Sequence, residues 1–129
     1  MTNYFTVYPE HCNYLPYKDG YMLHGGKILE LADKYAAIEA NEWLRGVNQE
    51  LDGLTVGATD LQFYGAAKTS DLIKVVTKVD STRFSRITIY VAMFISSDDE
   101  VKIFDGYISF CSFRKTSDNT YKLERHTDG

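Results

Sequence analysis

Hydrophobic and polar positions follow two different periods along this chain. From about Gly26 to about Leu44, apolar residues recur every three to four positions, which predicts an amphipathic helix. From Leu54 onward the period becomes two, which is typical of β-strands with one buried face. The pattern therefore predicts one helix followed by a set of strands.

Four strands are predicted after the helix. In the first, residues 54–64, the apolar parity slips near Ala58 to Asp60, which indicates a β-bulge. The other three span residues 72–80, 86–96 and 101–113, and only short polar stretches separate them. Short polar turns between consecutive strands favour antiparallel pairing.

The two ends of the chain are less regular. Residues 3–8 predict a short strand that Pro9 ends, and residues 9–24 predict a long loop with three tyrosines, either functional or simply a flap over the core. The polar C-terminal tail, residues 114–129, is expected to fray. We expect an α+β fold in one domain, residues 1–129, with a long curved antiparallel sheet around a central helix.

Composition excludes several classes of partner. The chain has 129 residues, is 44% hydrophobic and carries a formal net charge of -4 without a basic cluster, so no nucleic acid is expected. No apolar run is long enough to span a membrane, and the N-terminus does not resemble a secretion signal. Cys12 and Cys111 are too few for a disulfide framework. We therefore expect a cytoplasmic protein that contacts no membrane.

Asp33 is the residue for which the pattern offers no structural use. It lies at the border of the apolar stripe, and the positions three and four residues away hold no basic partner for a helical ion pair. Asp33 is either an ordinary exposed helix residue or a carboxylate that acts on a ligand, as base or as nucleophile. Glu39 falls inside the stripe, and the pattern does not explain it.

The segment His24-Gly25-Gly26 precedes the predicted helix. The first N–H groups of a helix lack internal partners and carry partial positive charge, so Gly25 and Gly26 could polarise a carbonyl or could merely cap the helix. His24 could carry a proton, bind a ligand or only pack. The three histidines His11, His24 and His126 show no ligand spacing, so no metal site is expected.

The chain resembles the hotdog-fold acyl-CoA thioesterases over about residues 7–113. The resemblance lies in Val7-Tyr8-Pro9-Glu10-His11-Cys12-Asn13, in His24-Gly25-Gly26 with Asp33 seven positions after the second glycine, and in the later segments Asp60-Leu61-Gln62-Phe63 and Ser70-Asp71-Leu72-Ile73. In that family an asparagine follows the first strand and a Phe-Gly-Gly or His-Gly-Gly signature opens the central helix. Here the interval from Tyr14 to His24 is expanded, and Ser70 stands where the family has glycine.

The resemblance implies hydrolysis of acyl-CoA to a free acid and CoA, with no cofactor because CoA is part of the substrate. Asp33 would be the base or nucleophile, Gly25 and Gly26 the donors to the thioester oxygen, and Asn13 the residue that holds the attacking water, although Asn13 could equally be a turn former. Family active sites form between protomers, which implies a homodimer, tetramer or hexamer.

The remaining expected contacts concern substrate binding. Phe63 and Tyr64 would form walls of the acyl slot. The segment Thr82-Arg83-Phe84-Ser85-Arg86 is similar to a segment that lies near the nucleotide end of CoA in relatives, which implies CoA contacts for Arg83, Ser85 and Arg86. The acyl length and the choice between CoA and an acyl carrier protein stay open.

Two other functions fit the same resemblance. One is a hotdog hydratase or dehydratase of acyl thioesters, in which His24 would have to meet Asp33 of the other subunit. The other is a non-catalytic protein that binds acyl-CoA and leaves it intact. Assays of enoyl-CoA hydration and of thiol release would separate these from hydrolysis.

Overall fold

The computed structural model describes residues 1–15 and 20–127, and the side chains of residues 1–13 and 22–127. The elements in chain order are β1 (Thr2–Thr6), a 3₁₀ turn (Pro9–His11), β2 (Cys12–Leu15), β3 (Gly20–Leu23), α1 (Gly25–Val47), β4 (Leu51–Phe63), β5 (Leu72–Arg83), β6 (Arg86–Ile95), β7 (Val101–Lys115) and β8 (Tyr121–Leu123). The main sheet is antiparallel with the order β1-β5-β6-β7-β4, and β8 extends β7.

The core lies between α1 and the inner face of the sheet, which curls around the helix. The helix contributes small alanines at Ala32, Ala36 and Ala40, all fully buried, so the backbone of the helix can approach the strands closely. The inner face contributes alternating residues of β5 and β6 and two aromatic residues of β7: Ile73, Val75, Ile87, Ile89, Val91, Met93, Phe104 and Phe110. The expected helix and the parity of β5 and β6 are thus confirmed.

Strand β4 is longer than predicted and carries two irregularities. Its register against β7 shifts between Thr55 and Gly57 and again between Thr59 and Gln62, where Asp60 has φ of 51°. The second shift confirms the bulge predicted near Ala58 to Asp60. Because β4 is the last strand of the sheet, its outer edge pairs with no other described strand.

The long loop predicted for residues 9–24 is wrong in part. The structure places a 3₁₀ turn there and an antiparallel hairpin, β2 with β3, in which Tyr14 pairs with Tyr21. Pro9 lies in the 3₁₀ turn before β2 and removes no hydrogen bond from the hairpin, and Pro16 lies outside the described residues. Tyr17 lies outside the described residues.

The polar tail after residue 113 does not fray over residues 114–127. Strand β7 runs on to Lys115 and pairs with β8, and the following segment is tied back to the sheet. The His126 N–H donates to the Phe84 carbonyl at 2.7 Å, and the His126 ring packs edge-on against Trp43 at 4.9 Å. The sequence pattern did not predict this ordered segment, because most side chains of residues 114–127 are exposed and polar although their backbone is hydrogen-bonded.

Two smaller features explain anomalies of the sequence. Glu39 faces the amino group of Met1 at 3.5 Å, which gives this carboxylate a partner at the edge of the apolar stripe. Ser70 has φ of 79°, the left-handed conformation that glycine would adopt most easily. In the described part of the chain, no helix combines the length and the apolar character needed to cross a membrane.

Candidate active site

His24 caps the N-terminus of α1. Its backbone is extended, and its ring Nδ1 accepts a hydrogen bond from the Lys27 N–H at 2.9 Å. The His24 N–H in turn donates to the His11 carbonyl at 3.1 Å, which anchors the cap to the turn before β2. The ring therefore accepts through Nδ1, and only Nε2 is left to face a ligand.

Gly25 and Gly26 occupy the first two positions of α1, and both are exposed. Neither has a positive φ, so glycine is not required here by backbone conformation. Among the described residues, no acceptor takes the N–H of either glycine. These two donors are therefore open to water or to a ligand.

Asp33 lies half-buried on the face of α1 that meets β4. Its Oδ1 accepts a hydrogen bond from the Thr55 hydroxyl at 2.5 Å. The strand is held close to the helix here because the Gly53 N–H donates to the Asn41 side chain at 2.8 Å. Sequence analysis missed Thr55, which is 22 residues from Asp33 and meets it only through the packing of β4 on α1.

Asp33 and the open N–H groups are separated along the helix. Asp33 is seven positions after Gly26, which corresponds to about 10 Å along the helix axis at about 1.5 Å per residue. A carbonyl bound at the helix N-terminus and a water held by the same chain's Asp33 are therefore too far apart to react. Within one chain the two halves of the expected chemistry do not meet.

Phe63 and Tyr64 lie on opposite faces of the sheet, although both were predicted to line an acyl slot. The Phe63 ring lies 3.7 Å from the position that a Cβ on Gly25 would occupy, and it is 50% exposed. Tyr64 turns to the outer face, where its hydroxyl donates to Asp105 Oδ1 at 3.0 Å. The structure thus brings Phe63, but not Tyr64, to the helix N-terminus.

Asn13 is exposed on β2. Within the described residues Asn13 makes no hydrogen bond to Asp33. Its expected role lies across a subunit boundary, so contacts within a single chain do not test it.

Glu30 lies in the first turns of α1. The hydrogen bond from Lys27, assisted by its positive charge, lowers the pKa of Glu30.

Arg83, Ser85 and Arg86 form the turn between β5 and β6, which lies toward the C-terminal half of α1 rather than beside Gly25. The guanidinium groups of Arg83 and Arg125 both approach the Phe84 ring, at 5.1 and 4.8 Å from its centroid. Sequence analysis missed Arg125 because it lies in the segment expected to fray. No described carboxylate forms an ion pair with Arg83, Arg86 or Arg125.

The free edge of β4 and the adjoining side of α1 expose apolar residues. Leu54 and Val56 on the strand are 41% and 45% exposed, and Leu29 and Ile38 on the helix are 38% and 43% exposed. A groove of about 540 Å³ lies between the helix and the strand, and of these four residues only Ile38 and Leu54 line it, together with polar side chains such as Glu42, Arg45 and Asp52. No group of His, Cys, Asp and Glu in the described ranges is arranged to hold a metal ion.

Comparison with known proteins adds the fold family. No protein-family model matches the chain, and no curated protein matches its sequence. The structure is similar to a hexameric thioesterase from Yersinia pestis, with a TM-score of 0.74 and 16% identity over 95% of this chain and 92% of that chain.

It is also similar to an acyl-CoA hydrolase from Staphylococcus aureus solved with butyryl coenzyme A and coenzyme A, with a TM-score of 0.75 and 19% identity over 96% of this chain and 70% of that chain. That hydrolase has also been solved with a single threonine, aspartate or asparagine replaced by alanine. These likenesses confirm the hotdog fold that the resemblance implied, and at such low identity they show the fold alone.

Proposed function

We propose that this protein hydrolyses acyl-CoA thioesters. The observation that carries the proposal is the Asp33–Thr55 pair, a hydrogen-bonded carboxylate at an open strand edge, in a fold shared with acyl-CoA hydrolases. The residue types altered in the Staphylococcus aureus hydrolase are also those of Asn13, Asp33 and Thr55 in this chain. The open N–H groups of Gly25 and Gly26 supply the second requirement of the reaction.

The chemistry uses these groups in sequence. The Asp33 carboxylate accepts a proton from a water, and the resulting hydroxide attacks the thioester carbon. The negative charge that develops on the carbonyl oxygen is stabilised by the N–H groups of Gly25 and Gly26. The C–S bond then breaks, and the CoA thiolate takes the proton from Asp33, which leaves free acid and free thiol. Direct attack by Asp33 to form an anhydride is the alternative route.

A second copy of the chain completes the site in this proposal. Because about 10 Å of helix separates Gly26 from Asp33, the carboxylate must act on a thioester held by another helix N-terminus. The free edge of β4 and its exposed apolar residues suit pairing with a copy of the same strand. The hexameric neighbours support a homo-oligomer. Asn13 from one copy would then hold the water beside Asp33 of the other.

The other binding residues follow from their positions. Phe63 would contact the acyl chain beside the thioester, and Arg83, Arg86 and Arg125 would hold phosphate groups of CoA near Ser85. His24 would keep the helix N-terminus in place as its cap and present Nε2 to the substrate. Both described cysteines are free thiols.

Replacing Asp33 by asparagine tests the proposal. We expect release of CoA thiol from acyl-CoA to fall by about 10²- to 10⁴-fold, the usual contribution of a positioned base. A matched Asp98→Asn variant, at the exposed turn between β6 and β7, should keep full activity. Thiol release is measured over acetyl-, butyryl-, octanoyl- and benzoyl-CoA. Intact acyl-CoA bound by the wild-type protein would indicate a binding protein, and hydration of crotonyl-CoA would indicate a hydratase.

A further inference from the structure

A network of polar side chains holds the outer face of the sheet at the end of β4. Asp105 on β7 uses both carboxylate oxygens: Oδ1 accepts from the Tyr64 hydroxyl at 3.0 Å, and Oδ2 accepts from the Tyr90 hydroxyl at 2.9 Å. Lys102 pairs with Asp105 Oδ2 at 2.6 Å and donates to the Tyr90 oxygen at 3.1 Å. Its ammonium also lies over the Tyr64 ring, 5.6 Å from the centroid.

The charges in this network keep it in one protonation state near neutral pH. Burial raises the pKa of Asp105, but hydrogen bonds from Lys102, Tyr90 and Tyr64 outweigh burial and leave the pKa below its usual value. The hydrogen bond to Asp105 raises the pKa of the Tyr64 phenol. Tyr64 therefore stays a donor and Asp105 an acceptor.

The network lies directly behind Phe63. Strand β4 ends at Phe63, and residues 64–67 continue as irregular chain until the Ala67 carbonyl accepts the Leu23 N–H at 2.8 Å. On the inner face, the Phe63 ring packs edge-on against Phe104 at 5.2 Å and leaves half of its surface uncovered beside Gly25. The Tyr64 N–H donates to the Ile103 carbonyl at 2.9 Å, and the bond of its hydroxyl to Asp105 adds a side-chain tether where the strand gives way to irregular chain.

We propose that Tyr64 is a positioning residue: its bond to Asp105 holds the end of β4 so that Phe63 forms the wall of the acyl subsite beside Gly25. The inference rests on the proposed function, and it replaces the expected direct contact of Tyr64 with substrate. When the thioester oxygen accepts from the N–H groups of Gly25 and Gly26, the Phe63 ring beside them contacts the first carbons of the acyl chain and not the pantetheine. The Phe63 ring then makes the binding affinity depend on the length of a short acyl chain. Tyr64 increases this dependence because it holds Phe63 in place.

The first test needs no turnover. Amide hydrogen exchange is followed by mass spectrometry on the peptide that covers residues 61–68, in the wild type and in Tyr64→Phe, which loses only the hydroxyl. We expect exchange of this peptide to rise at least several-fold in Tyr64→Phe. Tyr107→Phe is the matched control: Tyr107 lines the same outer face, and its hydroxyl has no hydrogen-bond partner among the described residues. Unchanged exchange in Tyr64→Phe overturns the proposal.

The second test measures acyl selection by binding in the Asp33→Asn background, so that hydrolysis does not enter. We expect Phe63→Ala to lower the ratio of affinities for butyryl-CoA and acetyl-CoA by about ten-fold, and Tyr64→Phe to lower it by about three-fold in the same direction. A wild-type ratio in Tyr64→Phe overturns the proposal, even if its melting temperature falls, because that would be a purely structural effect.

The two failures are distinguishable. If the wild-type protein binds both thioesters but releases no thiol, the proposed hydrolase activity is wrong. The affinity ratios then still test the proposed roles of Tyr64 and Phe63. If neither thioester binds, the acyl subsite and the proposed function are both overturned. Increased exchange with an unchanged affinity ratio also counts against the proposal, since the tether would then have no effect on the subsite.

Discussion

The two ends of helix α1 differ in how completely their groups are satisfied. At the C-terminal end, Leu44 is fully buried, its carbonyl accepts the Asn48 N–H at 2.7 Å, and Trp43 packs against His126. At the N-terminal end, Gly25 and Gly26 are exposed, and no described acceptor meets their N–H groups. One end is closed by the chain itself, and the other stays open.

This difference separates stability from function along a single element. Contacts at the closed end contribute free energy of folding, because Leu44 is buried there and its carbonyl is hydrogen-bonded. The open end leaves the N–H groups of its two exposed glycines to water or to a ligand. Substitutions at the two ends should therefore change different measured quantities.

The largest contrast is expected from alanine in place of glycine at each end. Gly25→Ala should lower kcat for acyl-CoA by about 100-fold, because a methyl group beside the donors and the Phe63 ring obstructs the thioester oxygen. Gly46→Ala, where no atom lies within 4 Å of the new Cβ, should leave activity unchanged and raise the free energy of unfolding by about 0.5–1 kcal/mol. Thiol release and urea denaturation measure the two effects. Equal activity losses in both variants would refute the distinction.

Thr55 tests whether the open half of the molecule depends on the pairing of β4 with α1. Thr55→Val keeps the shape of the side chain but removes the hydroxyl that donates to Asp33, and we expect kcat to fall about ten-fold. Thr55→Ser keeps the hydroxyl and should stay within about two-fold of wild type. Steady-state thiol release decides between them, and a fully active valine variant would contradict the role of the pair.

His126 tests the closed end. His126→Ala removes the contact with Trp43 and the ring hydrogen bond with the Arg86 carbonyl, so we expect a loss of about 1–3 kcal/mol in the free energy of unfolding with little change in kcat. Trp43 is the single tryptophan, so its fluorescence follows denaturation directly. Lys122→Ala, exposed on β8, serves as the control. Unchanged stability in His126→Ala would mean that the C-terminal segment is not part of the folded unit.

The smallest effect is expected from acid, which protonates Glu124 and weakens its pairing with Arg114. Hydrogen bonds from Arg114 lower the pKa of Glu124 below its ordinary value. A lowered folded-state pKa stabilises the protein above the unfolded value of about 4.3 and loses that contribution as pH falls through the folded value. Denaturation between pH 5 and pH 3 should therefore show a shallower loss of stability in Glu124→Gln than in wild type, while activity at pH 7 stays the same. If the free energy of unfolding falls equally with pH in the two proteins, the Glu124–Arg114 pair does not contribute to stability.

Local pattern was sufficient for the elements but not for their partners. The predictions of β5, β6 and α1 are confirmed, because the alternation of the strands and the alanine stripe of the helix both follow from burial of one face. The hairpin of β2 and β3 and the strand β8 were missed because exposed polar or proline-flanked strands carry no such periodicity. Asp33 was singled out by its spacing, and its catalytic role stays a prediction, whereas the spacing gave no sign of Thr55, Arg125 or the Asp105 network.

The sequence by itself determined one helix, the curved antiparallel sheet and the positions of Gly25, Gly26 and Asp33, because hydrophobic period and local spacing are properties of neighbouring residues. Tertiary structure alone decided that Thr55 meets Asp33, that Phe63 and Tyr64 part to opposite faces, and that the C-terminal segment closes one end of the helix. Those relations join residues distant in sequence, and only the packing of strands on the helix fixes which of them touch.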